Sequence, residues 1–251
     1  MVHIVGAGCG AADLITLRGK RLLEEADVVV YAGSLVNPAL LENTKPSCRR
    51  YDSARMTLEE ILDVIETAEA RGETTVRLHS GDPSLYGAIG EQMRAFDSRG
   101  IEYDITPGVS ALSGAAAALK TEYTLPDVSQ TVIVTRAAGK TAVPEAESLR
   151  ALAAHGATMV LFLSTGLLPK VTEELVAGGV SPDAPAAIVY KASWPEEKIC
   201  RCTVATLAQT AAQNGITKTA LITVGGFLTS DFSRSHLYDP AWDTEFREAA
   251  K

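Results

Sequence analysis

The residues best suited to chemistry in this chain form a short turn, Ser80-Gly81-Asp82-Pro83. A β-branched, apolar run at 74–78 predicts a buried strand before the turn, and the residues from 84 onward predict a helix after it. Gly81 permits a positive φ or a close approach of a ligand to the backbone. Small ligands bind at the carboxyl ends of strands in open parallel sheets, and this turn is expected there. Asp82 is therefore predicted to cap the helix, to contact a ligand, or to do both.

Two further glycine-bearing turns, at 6–10 and 107–110, also lie between a predicted strand and a predicted helix. The first contains Gly6-x-Gly8-x-x-Ala11, which formally matches a dinucleotide-binding fingerprint. A dinucleotide-binding fold would also place an acidic residue at the end of the next strand. That strand, at 27–31, runs into Tyr-Ala-Gly-Ser and has no carboxylate there. A nucleotide-dependent oxidoreductase therefore stays only as a hypothesis from a different class.

The cysteines and histidines do not have the spacing of a metal site. Cys200 and Cys202 are expected on one face of a strand as free thiols, since no second pair accompanies them. The 4 histidines show no zinc-helix spacing. We therefore expect no metal.

Composition indicates a globular chain without features for nucleic acid or membranes. The 251 residues are 46% hydrophobic and 22% charged, and the net charge is -8. An acidic chain is not expected to bind nucleic acid, although a local cluster of cations can still hold an anionic small substrate. There is no run of about 18 uncharged apolar residues that would predict a membrane span. The first residues enter a strand without a signal-peptide pattern, so a cytoplasmic location is expected.

Strand and helix patterns alternate through both halves of the chain. This alternation predicts an α/β fold of two domains, with a parallel sheet covered by helices. The predicted boundaries are 1–120 for the N-terminal domain, 121–128 for a linker and 129–251 for the C-terminal domain. A cleft between two such domains is the default place for a ligand. The tail from 227 is expected to be partly ordered.

The helices are predicted from apolar periodicity and from capping residues. Thr57 is expected to cap a helix, and Glu60 lies three residues on, where it completes a capping box. The predicted helices span 13–25, 58–70, 84–98, 111–118, 144–154, 167–177 and 204–214.

Together the three turns resemble those of the tetrapyrrole methylases, the S-adenosylmethionine-dependent enzymes that methylate uroporphyrinogen and corrin-ring precursors. Gly81-Asp82-Pro83 and Pro107-Gly108-Val109-Ser110 match the family pattern. In the opening turn, Cys9 stands where the family has Pro, and Ala11 stands where it has Asp. The backbone turn is still expected there, but the roles of those two side chains do not carry over.

Longer blocks resemble the branch of this family that methylates precorrin-4 at ring carbon 11, and the resemblance covers nearly the whole chain. A sibling enzyme that acts at another ring position stays as the alternative within the family. The blocks are 31–38, 51–61, 77–89, 124–136, 155–158 and 190–195.

The resemblance implies two α/β domains that bind S-adenosylmethionine between them, mainly through main-chain groups, and release S-adenosylhomocysteine. It also implies a homodimer. The matching cofactor positions are Ser80, Gly81, Asp82, Leu85, Ser110, Ala111, Leu163, Ala192, Thr219 and Ala220.

The substrate implied by the resemblance is a tetrapyrrole that carries several carboxylates. In this family the opening glycine turn faces the tetrapyrrole, and arginine is suited to paired contacts with carboxylates. Methyl transfer from a sulfonium depends mainly on geometry, so no catalytic residue is predicted beyond an orienting role for Asp82. The substrate candidates are Gly8, Gly10, Tyr31, Arg55, Tyr86 and Arg136.

Overall fold

A computed structural model describes residues 1–229 and 232–249 of the chain. These residues form two compact units. The first contains Met1–Ala115 together with Lys191–Glu197, and the second contains Ala116–Tyr190 and the chain from Lys198 onward. The prediction for the tail falls partly on 230–231 and 250–251, which lie outside the described residues.

The first unit is built on a parallel five-stranded sheet with the order β3-β2-β4-β1-β5. Every neighbouring pair of strands in this sheet runs parallel, as the alternation of strand and helix predicts. All the strand ends that precede the three glycine-bearing turns therefore meet at one edge of the sheet. The strands are β1 Val2–Gly6, β2 Val28–Tyr31, β3 Arg49–Asp52, β4 Thr75–His79 and β5 Tyr103–Thr106.

Apolar side chains cover both faces of this sheet. Val5, Val29 and Leu78 belong to a core cluster on one face, and Ile4 and Val30 belong to a cluster on the other. Parallel sheets need this two-sided cover, which is why their strands carry near-continuous apolar runs. The sheet is thereby fixed as a rigid support for the loops at its carboxyl edge.

Four helices follow the strands of the first half of the chain. The capping box of Thr57 and Glu60 is confirmed, since each side chain accepts a hydrogen bond from the other residue's main-chain N–H. The prediction of one helix over 13–25 is wrong at its start, because a 3-10 turn at Ala12–Leu14 precedes the helix. The helices are α1 Leu17–Glu25, α2 Leu58–Glu69, α3 Ile89–Arg99 and α4 Ala111–Leu119.

The helix predicted from residue 84 begins only at Ile89. Tyr86 and Ala88 have φ angles of 58° and 50°, which lie in the left-handed region and interrupt a right-handed helix. Asp82 therefore caps a tight turn at 83–86 and not the helix itself.

The second unit contains a mixed five-stranded sheet with the order β6-β7-β10-β8-β9. β6 and β7 pair in parallel, whereas the other three pairs are antiparallel. The α/β prediction is confirmed, but this second sheet is not the purely parallel sheet that alternation favours. The strands are β6 Val132–Arg136, β7 Thr158–Phe162, β8 Pro185–Tyr190, β9 Lys198–Thr203 and β10 Ala220–Val224.

Three helices pack against this sheet around one apolar core that includes Leu149, Met159, Leu175 and Ile222. The predicted helix over 144–154 is wrong in extent, because Ser148 is extended and separates a 3-10 turn from a short helix. The helices are α5 Leu149–Ala153, α6 Leu168–Ala177 and α7 Leu207–Gln213. In the described parts of the chain, no helix combines the length and the apolar character needed to cross a membrane.

Candidate active site

The first and second glycine-bearing turns of the first unit are joined by main-chain hydrogen bonds. Gly81 N donates to Gly8 O at 2.8 Å, and Gly8 N donates to Gly81 O at 3.2 Å. Just before this pair, Ala7 N donates to His79 O at 2.7 Å. Gly8 and Gly81 both have a positive φ, at 83° and 63°. The two turns thus form an isolated antiparallel bridge just beyond the ends of the parallel β1–β4 pair.

The third turn packs against the same two turns, backbone against backbone. A Cβ placed on Gly108 would lie 2.1 Å from Gly81 O, and a Cβ on Gly6 would lie 2.5 Å from Gly108 N. No side chain fits at such distances, so glycine is required at both positions. Internal packing thereby accounts for the first glycine of the apparent dinucleotide fingerprint.

Asp82 ties the second turn to the third through its carboxylate. Oδ2 accepts a hydrogen bond from Gly108 N at 2.9 Å, while Oδ1 accepts from Ser84 N at 2.9 Å and from the Ser84 hydroxyl. Burial raises the pKa of Asp82, but these hydrogen bonds outweigh it and leave the pKa below its ordinary value. Both carboxylate oxygens are thus used to hold the turns in place.

The coil that follows, Pro83–Ala88, carries two of the predicted site residues. Leu85 N donates to Asp82 O at 3.3 Å, and Tyr86 is 44% exposed. A Cβ on Gly87 would lie 2.3 Å from Pro83 O, so the coil folds tightly on itself.

Ser110 and Ala111 lie at the start of α4, next to Gly81. A Cβ on Gly81 would lie 3.7 Å from Ala111 N and 3.8 Å from Ser110 Cα. Ser110 Oγ accepts a hydrogen bond from Leu112 N at 3.2 Å, as capping residues do. The first amides of a helix lack intrahelical acceptors and favour anions. Ser80, Gly81, Ser110 and Ala111 are therefore brought together at a place suited to a carboxylate.

The segment Lys191–Glu197 belongs to the first unit and packs on the opening turn. Ser193 Oγ accepts a hydrogen bond from Ala11 N at 2.9 Å and lies 3.4 Å from Cys9 Sγ. Ser193 N in turn donates to Glu197 Oε2 at 2.7 Å. Cys9 and Ala11, the two departures from the family pattern, thus face Ser193.

The same segment covers Gly10. A Cβ on Gly10 would lie 2.3 Å from Trp194 Cδ1 and 2.6 Å from Ala192 O. On its other side, Gly10 O accepts a hydrogen bond from Asn37 Nδ2 at 2.9 Å. Ala192 itself is 7% exposed. The structure therefore brings Ala192, a predicted cofactor position, onto the predicted substrate turn.

Sequence reasoning missed the positioning roles of Ser193 and Asn37. Both residues lie in the blocks that carry the family resemblance, at 190–195 and 31–38. A hydrogen bond between residues 182 positions apart, as for Ala11 and Ser193, has no local sequence signal. Membership of those blocks was the only available indication.

The remaining predicted cofactor residues lie together in the second unit. Leu163 follows β7 and Thr219 precedes β10, and these strands are antiparallel neighbours. Leu163 and Thr219 have positive φ angles of 52° and 58°. Leu163 is also 69% exposed. Ala220 O accepts a hydrogen bond from the Thr165 hydroxyl at 3.0 Å. Strained and exposed backbone at a sheet edge is typical of ligand sites.

The three other predicted substrate residues have different surroundings. Tyr31 ends β2, and its carbonyl accepts a hydrogen bond from the Ser53 hydroxyl at 2.9 Å. Arg55 is exposed, and we find no ion pair for it within the described ranges. The Arg136 guanidinium donates to Thr141 O at 3.1 Å and to Ala142 O at 2.7 Å. Arg136 therefore organises its own loop in the second unit.

Two buried polar side chains lie on one face of β4, beneath the turns. Arg77 is 5% exposed and His79 is 4% exposed. Burial lowers the pKa of Arg77 to about 10. Burial, with a contribution from the charge of Arg77, lowers the pKa of His79 to about 3. His79 is therefore neutral near pH 7, and its buried Nε2 has no partner among the described residues.

The three glycine-bearing turns at the sheet edge lie within a region of the sequence that matches one protein family. Residues 1–208 match the profile of the Tetrapyrrole (Corrin/Porphyrin) Methylases. The chain belongs to this family. A cobalt-precorrin-4 C(11)-methyltransferase of Methanocaldococcus jannaschii is 51% identical, over 100% of this chain and 97% of that protein. A precorrin-4 C(11)-methyltransferase of Mycobacterium tuberculosis is 46% identical, over 96% of each chain.

Solved structures agree with this assignment. A cobalt-precorrin-4 methyltransferase of cobalamin biosynthesis has a TM-score of 0.89 and 47% identity, covering 91% of this chain and 95% of that one. A uroporphyrin-III C-methyltransferase from Thermus thermophilus, in complex with S-adenosylhomocysteine, has a TM-score of 0.75 and 25% identity. That match covers 90% of this chain and 92% of the other. The predicted family and two-domain fold are confirmed.

Proposed function

We propose that this chain transfers the methyl group of S-adenosylmethionine to ring carbon 11 of precorrin-4 or cobalt-precorrin-4, in cobalamin biosynthesis. The observation that carries the proposal is 51% identity over all 251 residues to a protein named for this reaction. The relatives named without cobalt are also similar over nearly their full length. Cobalt, where present, is part of the substrate.

The cofactor is proposed to bind through the residues around the second and third turns. Ser80, Gly81, Ser110 and Ala111 present main chain at the start of α4, which suits the carboxylate of the methionine moiety. Leu85 and Ala192 are further proposed contacts, as are Leu163, Thr219 and Ala220 of the second unit. When bound, S-adenosylmethionine supplies a methyl group already activated by its sulfonium.

The chain's own contribution to this reaction is proposed to be positioning. Holding two reactants in a near-attack arrangement can supply roughly 7–11 kcal/mol of a barrier. Asp82 stays a proposed cofactor contact, and its carboxylate also serves this positioning because it fixes Gly108 N and Ser84 N. An electron-rich ring carbon is itself the nucleophile, so no side-chain nucleophile is required of the chain.

The substrate is proposed to lie against the opening turn and its neighbours. Gly8 and Gly10 offer main chain, and Tyr31 and Tyr86 offer aromatic surface. Arg55 is the favoured partner for a substrate carboxylate, because it is exposed and its guanidinium suits paired contacts. Arg136 stays a proposed contact, although its guanidinium already donates to carbonyls of its own loop.

The proposal is tested by incubating the protein with a ¹³C-methyl donor and precorrin-4, with and without cobalt, and by locating the label by NMR. Label at carbon 11 is the expected result. Label at another ring carbon would reject the assignment in favour of a sibling activity. The cobalt form that reacts with the higher kcat/KM identifies the substrate.

The quaternary state and the location are proposed from the family resemblance. We propose a homodimer in the cytoplasm. Sedimentation velocity of the purified chain, whose mass is 26.5 kDa, measures the quaternary state directly. A single species of one chain would contradict the homodimer. Fractionation of the source cells tests the location, and recovery with the membranes would contradict it.

A further inference from the structure

Arg77 is a buried cation without a buried anion beside it. It lies in the middle of β4, where all five residues are buried. Its Nε donates to Gln92 Oε1 at 2.9 Å, and Nη1 donates to Val30 O at 3.1 Å. Within the described residues no carboxylate pairs with it. A charge buried in this way is costly, and an apolar side chain would pack in the same place at lower cost.

The arginine fixes the orientation of the Gln92 amide. Arginine can only donate hydrogen bonds, so Gln92 must turn its oxygen toward Arg77. Its nitrogen then points the other way and donates to Ala88 O at 3.1 Å. Gln92 is 4% exposed, so water does not compete freely for either group. Arg77 and Gln92 together therefore direct the Gln92 side-chain N–H toward the carbonyl of Ala88.

That carbonyl belongs to the strained end of the Pro83–Ala88 coil. Ala88 precedes α3 with a φ of 50° and has no side-chain cap. Tyr86 is also left-handed, at 58°. Non-glycine residues in this left-handed conformation are strained and persist only where the surrounding structure imposes it. The Gln92 amide supplies such a restraint at Ala88.

We propose that Arg77 and Gln92 are positioning residues that hold the Pro83–Ala88 coil in the conformation that binds the cofactor and substrate through Leu85 and Tyr86. This inference rests on the proposed function, since it assigns a purpose to the coil that carries those two contacts. Arg77 acts through Gln92, and neither side chain needs to touch a ligand.

The test is Gln92→Glu, which keeps the shape of the side chain but replaces the donor nitrogen with an acceptor oxygen. The new carboxylate pairs with Arg77 and removes the side-chain donor from Ala88 O, which then keeps only the first main-chain hydrogen bond of α3. We expect the thermal midpoint to stay the same or rise, while the Kd for S-adenosylhomocysteine rises about tenfold, as for a hydrogen bond turned into a repulsion. Amide exchange over 83–92 should accelerate in the free protein.

The matched control is Gln209→Glu, the same chemical change on the exposed face of α7. It should alter neither the Kd nor the exchange over 83–92. An unchanged Kd in Gln92→Glu would overturn the inference, because the pair would then be irrelevant to binding. A higher Kd accompanied by a lower thermal midpoint would also overturn it, because the pair would then be merely structural. If the wild-type chain binds no S-adenosylhomocysteine, the proposed function fails first, and that result is seen without any variant.

Discussion

Asp82 connects two turns of the candidate site through the two oxygens of its carboxylate. Its two oxygens accept hydrogen bonds from Ser84 and Gly108, which belong to different turns. Capping residues usually serve one segment, but this one connects two. The orienting role expected from the sequence is therefore compatible with the geometry. What Asp82 orients is the main chain of the second and third turns.

Replacing Asp82 by Asn should weaken this connection in a pH-dependent way. An amide can accept at only one end, so Gly108 N or Ser84 N loses its partner, at a cost of about 1–2 kcal/mol near neutral pH. The pKa of Asp82 is below its ordinary value of 3.8 in the folded chain. Its stabilising contribution is thus complete above that value and is lost as the pH falls through the folded pKa.

Urea unfolding of the wild type and Asp82→Asn from pH 7 downward measures this difference. The two free energies of unfolding should converge only in the most acidic samples. A constant difference over the whole range would show that the charge of Asp82 is unimportant.

His79 should make the chain less stable in mild acid. Its pKa is lowered from 6.5 to about 3 by burial and, to a lesser extent, by Arg77. Below pH 6.5 the unfolded chain therefore gains a proton that the folded chain does not, and stability falls as the pH drops toward 3. The largest slope from one such group is about 1.4 kcal/mol per pH unit.

His79→Gln should remove this slope, as measured by urea unfolding between pH 7 and pH 4. The control is His155→Gln at an exposed position, which should keep the wild-type slope. An equal slope in wild type and His79→Gln would contradict the assignment.

At the scale of elements, sequence patterns predicted those features that are determined by residues close together in the chain. The apolar runs of β1, β2, β4 and β5 and the capping box at Thr57 can be recognised from neighbours in sequence, and both were predicted. The start of α3 was not, because the left-handed Tyr86 and Ala88 are held by contacts such as that of Gln92. The packing of Ser193 on Ala11 likewise required the fold.

The contact between the second and third turns is the most restrictive feature at this scale. Gly108→Ala would place a methyl group 2.1 Å from Gly81 O, where only backbone movement can relieve the overlap. We expect a loss of about 1–3 kcal/mol in unfolding free energy, as for overpacked sites, and a large loss of S-adenosylhomocysteine binding. Calorimetry and thermal unfolding measure both effects.

Gly90→Ala is the matched control. It lies on α3 with no heavy atom within 4 Å of the added Cβ. Because alanine favours helix over glycine, we expect a gain of about 0.5–1 kcal/mol and unchanged binding. Intact binding in Gly108→Ala would show that the turns do not need this close approach.

At the scale of the whole molecule, two sheets of different construction share one chain. The first sheet is parallel and carries the glycine-bearing turns at one edge. The second sheet includes the antiparallel β8–β9 pair. Alternation of strands and helices predicted two α/β units and favoured parallel pairing in both. β8 and β9 depart from that alternation, because a loop of only seven residues, Lys191–Glu197, joins them, and so short a connection allows only antiparallel pairing.

Ligand binding should raise the stability of the whole chain. A ligand at a hundred times its Kd stabilises the folded state by about 2.7 kcal/mol. We expect S-adenosylhomocysteine to produce this shift in urea unfolding and NADP to produce none. Stabilisation by NADP alone would favour the oxidoreductase hypothesis.

The loop Lys191–Glu197 has a consequence for building chimeras within the family. Although it is encoded in the second half of the gene, it completes the first unit, where Ser193 and Trp194 meet Ala11 and Gly10. In a hybrid joined near residue 115, the loop 191–197 would come from one parent and the turn 8–11 that it packs on would come from the other. Such crossovers should succeed when residues 8–11 are exchanged together with 191–197, and recombination libraries should treat the two segments as a single inherited block.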